Sequence, residues 1–418
     1  MKQSAWRTAA AGLIGNVLEW FDFAVYGYFA SDIGKQFFPR SSPVAGQLLS
    51  LAVFAVGFAA RPLGSVVLGL VGDRIGRRAL LTLSIALMGC ATLGIGLLPT
   101  YAQIGVAAPV LLVLLRLVQG FSLGGEFTGS MVYTTELASP TLRGLVSSST
   151  AVGTTIGFIL GSITAWAVHR ALGPEAASAW GWRIPFVGSL LFVVAGWLLR
   201  RGITESAHAE KAAAERAPVL SSLAKDLRPM IETFGIVAMT NAAYYLAFTF
   251  AVERRKTMTG EGGEAFFLAN TASLVVVLLA KPTGGWLSDR VGRKRMMIAL
   301  TAVTMGVVFF SLDIMLHGSP RQFMLGQLLL AVPLGMALGL QGAMVVEIFP
   351  LRTRVTSMSV AYSVSLALAG GTAPLLSTWL IERFKNPMLP AYAIILYGLL
   401  GFAIMAPMRE TNTRSLDS

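Results

Sequence analysis

Side chains able to carry out chemistry are scarce in this chain. Its 418 residues include one cysteine and three histidines, and Asp, Glu, Lys and Arg make up only 13%, about half the share in an average soluble domain. Cys90 alone can form neither a disulfide framework nor a thiolate metal site. His169, His208 and His317 fall in polar breaks with no HExxH-type spacing, so no metal centre is expected. There is no GxSxG motif and no histidine within an apolar run, which leaves an intramembrane enzyme without a nucleophile and base. The longest polar interval, residues 201–228, is too short for a receptor's soluble domain. No nucleic-acid partner is expected despite the net charge of +12, because the basic residues are scattered through short breaks between apolar runs.

What the chain does have is hydrophobic length. Apolar residues make up 55%, in runs of the size that crosses a bilayer. Spans are expected near 8–31, 45–71, 79–98, 107–136, 144–168 and 183–200, then 229–251, 265–288, 296–316, 322–346, 355–381 and 389–408. The expected fold is therefore an all-α integral membrane protein of twelve transmembrane helices. The first run carries Asn16, Glu19 and Asp22 and is too long for a signal-peptide core, so it is expected to remain as an uncleaved span. Lys and Arg outside the spans divide unevenly, twenty against ten. The richer side, which holds both termini, is expected to be cytoplasmic. The cluster Arg254, Arg255 and Lys256 fits this poorly, since it falls outside.

The two halves repeat. GLVGDRIGRR (69–78) returns as GWLSDRVGRK (285–294), and ELASPTLR (136–143) as EIFPLRTR (347–354). Each copy sits at the same place among its six spans. The division expected is a bundle over 1–200, a cytoplasmic linker over 201–228 and a second bundle over 229–418. GDRIGRR and its copy resemble the signature loop of the major facilitator superfamily. Within that superfamily, GNVLEWFDFAVYG (15–27), FFP (37–39), ARPLG (60–64), RLVQGFSLGGEFTG (116–129) and WGWRIPF (180–186) resemble the metabolite:proton symporters, which include carriers of citrate, 2-oxoglutarate, shikimate, and proline or betaine. The resemblance implies two pseudo-symmetric six-helix bundles in a bacterial inner membrane.

For the loop motifs two readings stand: a topology signal, or a latch that joins the bundles when the transporter faces outward. The resemblance favours the latch. Its candidates are Asp73, Arg74, Arg77 and Arg78, their copies Asp289, Arg290 and Arg293, and two further pairs, Glu136 with Arg143 and Glu347 with Arg354.

Charges within the spans are costly. Glu19 and Asp22 are three residues apart and share a helix face, and Arg116, Gln119, Glu126, Ser130 and Tyr133 form a stripe on the fourth span. At about 1.5 Å per residue, Asp22 and Arg116 lie at similar depth, as do Glu19, Arg61 and Glu126. These groups serve either as packing pairs or as a proton-coupling site. A carboxylate withdrawn from water beside an arginine can bind and release a proton as its surroundings change. Asp22 with Arg116 is the first choice for coupling, Glu126 the alternative, and Glu19 a further candidate. An aspartate–arginine pairing between spans one and four is also implied by resemblance to proton-coupled sugar carriers.

The resemblance implies a cavity lined by spans one, four, seven and ten. Asn241, Tyr244, Tyr245 and Phe248 share one face of span seven, and Gln327 and Gln341 one face of span ten. Asn241, Tyr244, Tyr245 and Gln341, with Arg61, Gln119 and Tyr26, are the candidates for substrate contact. Lys281 has no evident partner and is read either as snorkelling towards the cytoplasm or as part of a cationic cavity. A cationic cavity favours a carboxylate: an organic acid first, a zwitterion such as proline or betaine second. The expected activity is proton-coupled import by a monomer that needs no cofactor beyond the proton. Export or antiport on the same fold is the alternative; proton-driven drug antiporters of this superfamily carry a Gly-Pro motif in span five, whereas the expected span here (144–168) has GxxxGxxxG at Gly153, Gly157 and Gly161 and no proline, so the resemblance favours symport.

Overall fold

The computed structural model describes residues 2–39, 42–75, 77–200, 223–259, 263–414 and 416. Its helices run Lys2–Tyr28 with a short continuation Ala30–Phe37 (span one), Pro43–Ala59 and Arg61–Ile75 (two), Arg77–Leu97 (three), Ala107–Ser122 and Glu126–Leu137 (four), Arg143–Ala176 (five) and Arg183–Arg200 (six). The second half continues with Leu227–Tyr245 to Ala251–Thr259 (seven), Glu264–Val291 (eight), Arg293–His317 (nine), Pro320–Ile348 (ten), Arg354–Ser365 to Ala373–Phe384 (eleven) and Leu389–Met405 (twelve). Among the described residues, eight segments are long and apolar enough to cross a membrane by length and composition alone, and Leu83–Leu97 and Leu389–Met405 are shorter apolar stretches.

Burial is inverted relative to a water-soluble core. Large apolar side chains face outwards, including Leu191 at 78% exposed, Leu279 and Phe310, while Asn16, Glu19, Asp22, Arg61, Arg116 and Lys281 are buried. A bilayer rewards this arrangement, since lipid accepts Leu and Phe but offers nothing to a carboxylate or a guanidinium.

Local chemistry sets the ends of the helices. Ser319 caps span ten, with Gln322 returning a bond to the Ser319 N–H and Pro320 in the first turn. Spans eight and nine meet at Gly292, whose φ of +107° suits only glycine well, which explains the glycine in the second copy of the loop motif. Gly76, its counterpart, lies outside the described residues.

Several spans are interrupted near the middle. Span four breaks at Leu123–Gly125, so the expected stripe from Arg116 to Tyr133 does not continue: Arg116 and Gln119 are buried, while Ser130 and Tyr133 are half-buried below the break. The break lies where spans two and four cross, backbone against backbone. A Cβ on Gly120 or Gly124 would fall within the span-two main chain, and the Ser65 hydroxyl donates to the Gly124 carbonyl. Spans seven and eleven each contain a π-helical turn, Leu246–Phe250 and Leu366–Gly371, a distortion often found beside functional sites. Span five runs past its expected end at 168 and bends only in its last turn, at Gly173 just before Pro174, so the helix does contain a proline. Its Gly157 and Gly161 admit span one: a Cβ at Gly157 would lie 2.7 Å from the Val17 carbonyl oxygen and one at Gly161 2.9 Å from Ala24 Cβ.

Candidate functional site

Asp22 and Arg116 form no direct ion pair among the described residues. They are joined by a relay. Arg116 Nη1 donates to Gln119 Oε1 (2.7 Å), Gln119 Nε2 to Thr92 Oγ1 (2.6 Å), and Thr92 Oγ1 to Asp22 Oδ2 (2.5 Å). Every donor points towards the carboxylate, as expected of a chain strung between a guanidinium and an anion. The guanidinium also lies over the rings of Tyr26 (4.3 Å) and Phe23 (4.6 Å). Gly57 leaves room for it, since a Cβ there would lie 3.2 Å from Arg116 Nη2. Sequence reasoning missed Thr92, because a lone threonine in an apolar span carries no signal of its own.

Glu19 pairs with Arg61, 2.6 Å apart and both nearly fully buried. Arg61 Nε and Nη1 have no hydrogen-bond partner, and its guanidinium is 5.5 Å from the centre of the Trp20 ring. Glu126 opens the lower half of span four, and a small cavity lies between it and Asp22, walled also by Leu18, Met88 and Ser189.

A second cavity lies between the two bundles. Trp20, Phe127, Phe158, Asn241, Tyr244, Tyr245, Tyr362, Gln341 and Lys281 line it. Asn241, Tyr244, Tyr245 and Gln341 thus come together as expected. Gln119 and Tyr26 belong instead to the surroundings of Arg116. Gln327 lies elsewhere, bonded to the Ala247 carbonyl and to Asn270, which in turn donates to Tyr28 and Ser162. Lys281 does not snorkel. It is buried, and its ammonium reaches span five.

Both ends of the molecule are closed. At the end carrying the termini, Asp289 accepts from the N–H groups of Gly144 (2.8 Å) and Leu145 (3.0 Å), so a span-eight carboxylate caps span five across the bundle interface. The expected pairs are rearranged there. Glu136 binds Arg354 (2.8 Å) rather than Arg143. Glu347 binds Arg293 through two bonds, of 2.6 and 2.8 Å, rather than Arg354. Arg143, and Arg354 through its other terminal nitrogen, also hold the C-terminal chain, by the carbonyls of Arg414 and Leu416 (each 2.8 Å). Arg290 is exposed and stacks on Trp286 at 3.7 Å, away from the latch. The side chains of Asp73, Arg74, Arg77 and Arg78 lie outside the described residues.

The opposite end has a lock that sequence reasoning did not find. Lys256 contacts Asp32 (2.8 Å) and Glu253 (2.9 Å), Glu253 accepts from the Ser31 N–H (2.7 Å), and His169, buried against Phe29, is 3.8 Å from Asp32. The misplaced basic cluster is thus resolved by partners, since Arg254 pairs with Glu382 and Arg255 with the carbonyls of Leu316 and Gly318. Asp32 lies in the short continuation Ala30–Phe37, past the expected membrane-crossing stretch 8–31. Burial pushes its carboxyl up, but the Lys256 ammonium, helped by His169 and Lys35, outweighs this and holds it below the usual carboxylate range.

Two bundles closed at either end around a buried polar centre define a helical membrane transporter. Residues 8–217 match the family described as "Sugar (and other) transporter" and residues 257–415 that described as "Major Facilitator Superfamily". The chain is 32% identical to the proline/betaine transporter of Salmonella typhimurium, over 98% of this chain and 84% of that one. It is 35% identical to the citrate-proton symporter of Klebsiella pneumoniae, over 93% and 88%. A partially occluded, inward-open structure of the xylose transporter XylE from E. coli shares the fold, with a TM-score of 0.74 at 19% identity, over 99% of this chain and all of that one. The chain belongs to the major facilitator superfamily and, within it, to the metabolite:proton symporters.

Proposed function

We propose that the chain is a proton-coupled symporter, importing a small carboxylate-bearing metabolite by rocking two bundles around the inter-bundle cavity. The observation that carries this reading is the relay from Arg116 through Gln119 and Thr92 to Asp22. Its polarity depends on Asp22 being an acceptor. A proton on Asp22 adds an O–H donor, removes the negative end of the chain, and leaves the Thr92 hydroxyl facing a neutral, weaker acceptor. Protonation would therefore rearrange spans one, three and four together. The Glu19–Arg61 pair next to the cavity is a second place where a proton or a substrate charge would alter packing, and Glu126 faces Asp22 across the smaller cavity.

In this reading residues 1–200 and 229–418 are the moving bundles and 201–228 the linker. The termini face the cytoplasm of a bacterium, and the chain sits in its inner membrane. The latch at Asp289, Gly144, Glu136 and Arg354 opens to release solute inwards; the lock at Lys256, Asp32 and Glu253 opens to admit it from outside. The transport path lies within one chain, so a monomer suffices, and the proton is the only co-reactant needed. Asn241, Tyr244, Tyr245 and Gln341 stand where a solute in the cavity would touch them, while Arg61 lies behind the Trp20 ring of the cavity wall and would act on it through Trp20.

The test is uptake into proteoliposomes across a panel of organic acids, proline and betaine, with and without an inward proton gradient. Accumulation that requires the gradient supports symport. Exchange driven in the opposite sense overturns it in favour of antiport.

A further inference from the structure

One intramembrane cation takes no part in the relay or in the Glu19 pair. Lys281, on span eight, is 1% exposed. Its ammonium donates to the Ala151 carbonyl and, at 2.9 Å, to Thr154 Oγ1, both on span five of the other bundle. Both acceptors are neutral, and among the described residues no carboxylate stands within ion-pair distance of Nζ. An ammonium withdrawn from water with only neutral partners is poorly compensated, and it has three donors for these two acceptors. Nζ is 5.9 Å from the centre of the Tyr244 ring. In the same cavity wall the Tyr245 hydroxyl is buried without a hydrogen-bond partner. Glu19 already answers Arg61, and Asp22 answers Arg116 through the relay. Among the described residues, the cavity is thus left with one positive charge that no carboxylate neutralises.

We propose that Lys281 is the anchor for the substrate's carboxylate, and that the cavity selects solutes carrying a single carboxylate. A bound carboxylate exchanges two neutral acceptors for a charged one. It also releases span eight from span five, so occupancy and separation of the bundles become one event. The other walls are aromatic, with Trp20, Phe158, Tyr244 and Tyr362 among them. Rings accept a compact apolar or cationic body, whereas a second and third carboxylate would meet no other basic side chain among the described residues lining the cavity.

This inference rests on the transport reading above, and the test separates the two. Purified full-length protein is titrated with proline, glycine betaine, citrate and prolinamide, following its thermal unfolding, and the same preparations are assayed for uptake under an inward proton gradient. Proline or glycine betaine is expected to stabilise the wild type at lower concentration than citrate, and prolinamide to act only weakly. In Lys281→Met the apparent affinity for the one-carboxylate probe should fall roughly a hundredfold, and the preference for proline over prolinamide should disappear. Lys281→Arg should keep part of both. Thr154→Val, close to isosteric and retaining the lysine, should tighten binding by about threefold by removing a competing acceptor. A wild type that accumulates solute while Lys281→Met binds it equally well overturns the anchor alone, as does a wild type that prefers citrate. A wild type neither stabilised by nor accumulating any probe overturns both readings.

Discussion

Removing one atom pair from the relay should separate binding from accumulation. Asp22→Asn keeps the shape of the side chain but cannot cycle a proton. It should abolish concentrative uptake while leaving exchange of labelled for unlabelled solute across the membrane detectable; normal accumulation would shift the proton to Glu126 or Glu19. Glu19→Gln is a different case. It leaves the Arg61 guanidinium buried without a counter-charge, a loss that costs about 3–5 kcal/mol for buried pairs, so the midpoint of thermal unfolding should fall clearly. Glu19→Gln combined with Arg61→Met should recover much of it. Sequence alone places Asp22 and Arg116 at similar depth as a candidate pair, because acids and arginines in apolar spans are conspicuous and helical rise gives their depth. It did not show that Thr92 and Gln119 stand between them, since a hydroxyl or an amide needs no special context to occur in a span. Asp32, Glu253 and Lys256 were hidden for a related reason: at the end of a span, charges look solvated, and only packing showed these to be nearly fully buried.

At the level of helices, the close crossings matter most. Gly157 lets span five reach the main chain of span one beside the two acids. Gly157→Val should force these helices apart, lowering the unfolding midpoint and weakening uptake together, whereas the same change at Gly188, where a Cβ meets nothing within 4 Å, should leave both near wild type. The number and order of spans were legible from hydrophobic length. The break in span four and the π-helical turns in spans seven and eleven were not, because such distortions depend on which backbone lies opposite.

For the molecule as a whole, the two closures should act in opposite senses. Lys256→Met removes the cation shared by Asp32 and Glu253 and should favour opening at that end, while Asp289→Asn weakens the cap on span five and should favour opening at the other. Cysteines placed near each end of a Cys90→Ser background, labelled with a water-soluble maleimide, would report the direction, and a shift of the same sense in both variants would contradict it. Because the Asp32 carboxyl is held below its ordinary value, its contact with Lys256 stabilises closure above the unfolded value, about 3.9, and is lost only as pH falls through the lowered one. Acidification from pH 8 to 6 should therefore leave accessibility at that end unchanged through this group.

Phe54 and Phe58 from one bundle meet Tyr245 from the other, at 5.9 and 5.7 Å between ring centres, and Phe158 meets Tyr244 at 5.1 Å. Interleaved rings of this kind act as electrical insulation. Rings this close leave little room for a file of water that would short-circuit the gradient, so vesicles bearing the protein but offered no cargo should hold a pH difference almost as long as bare lipid.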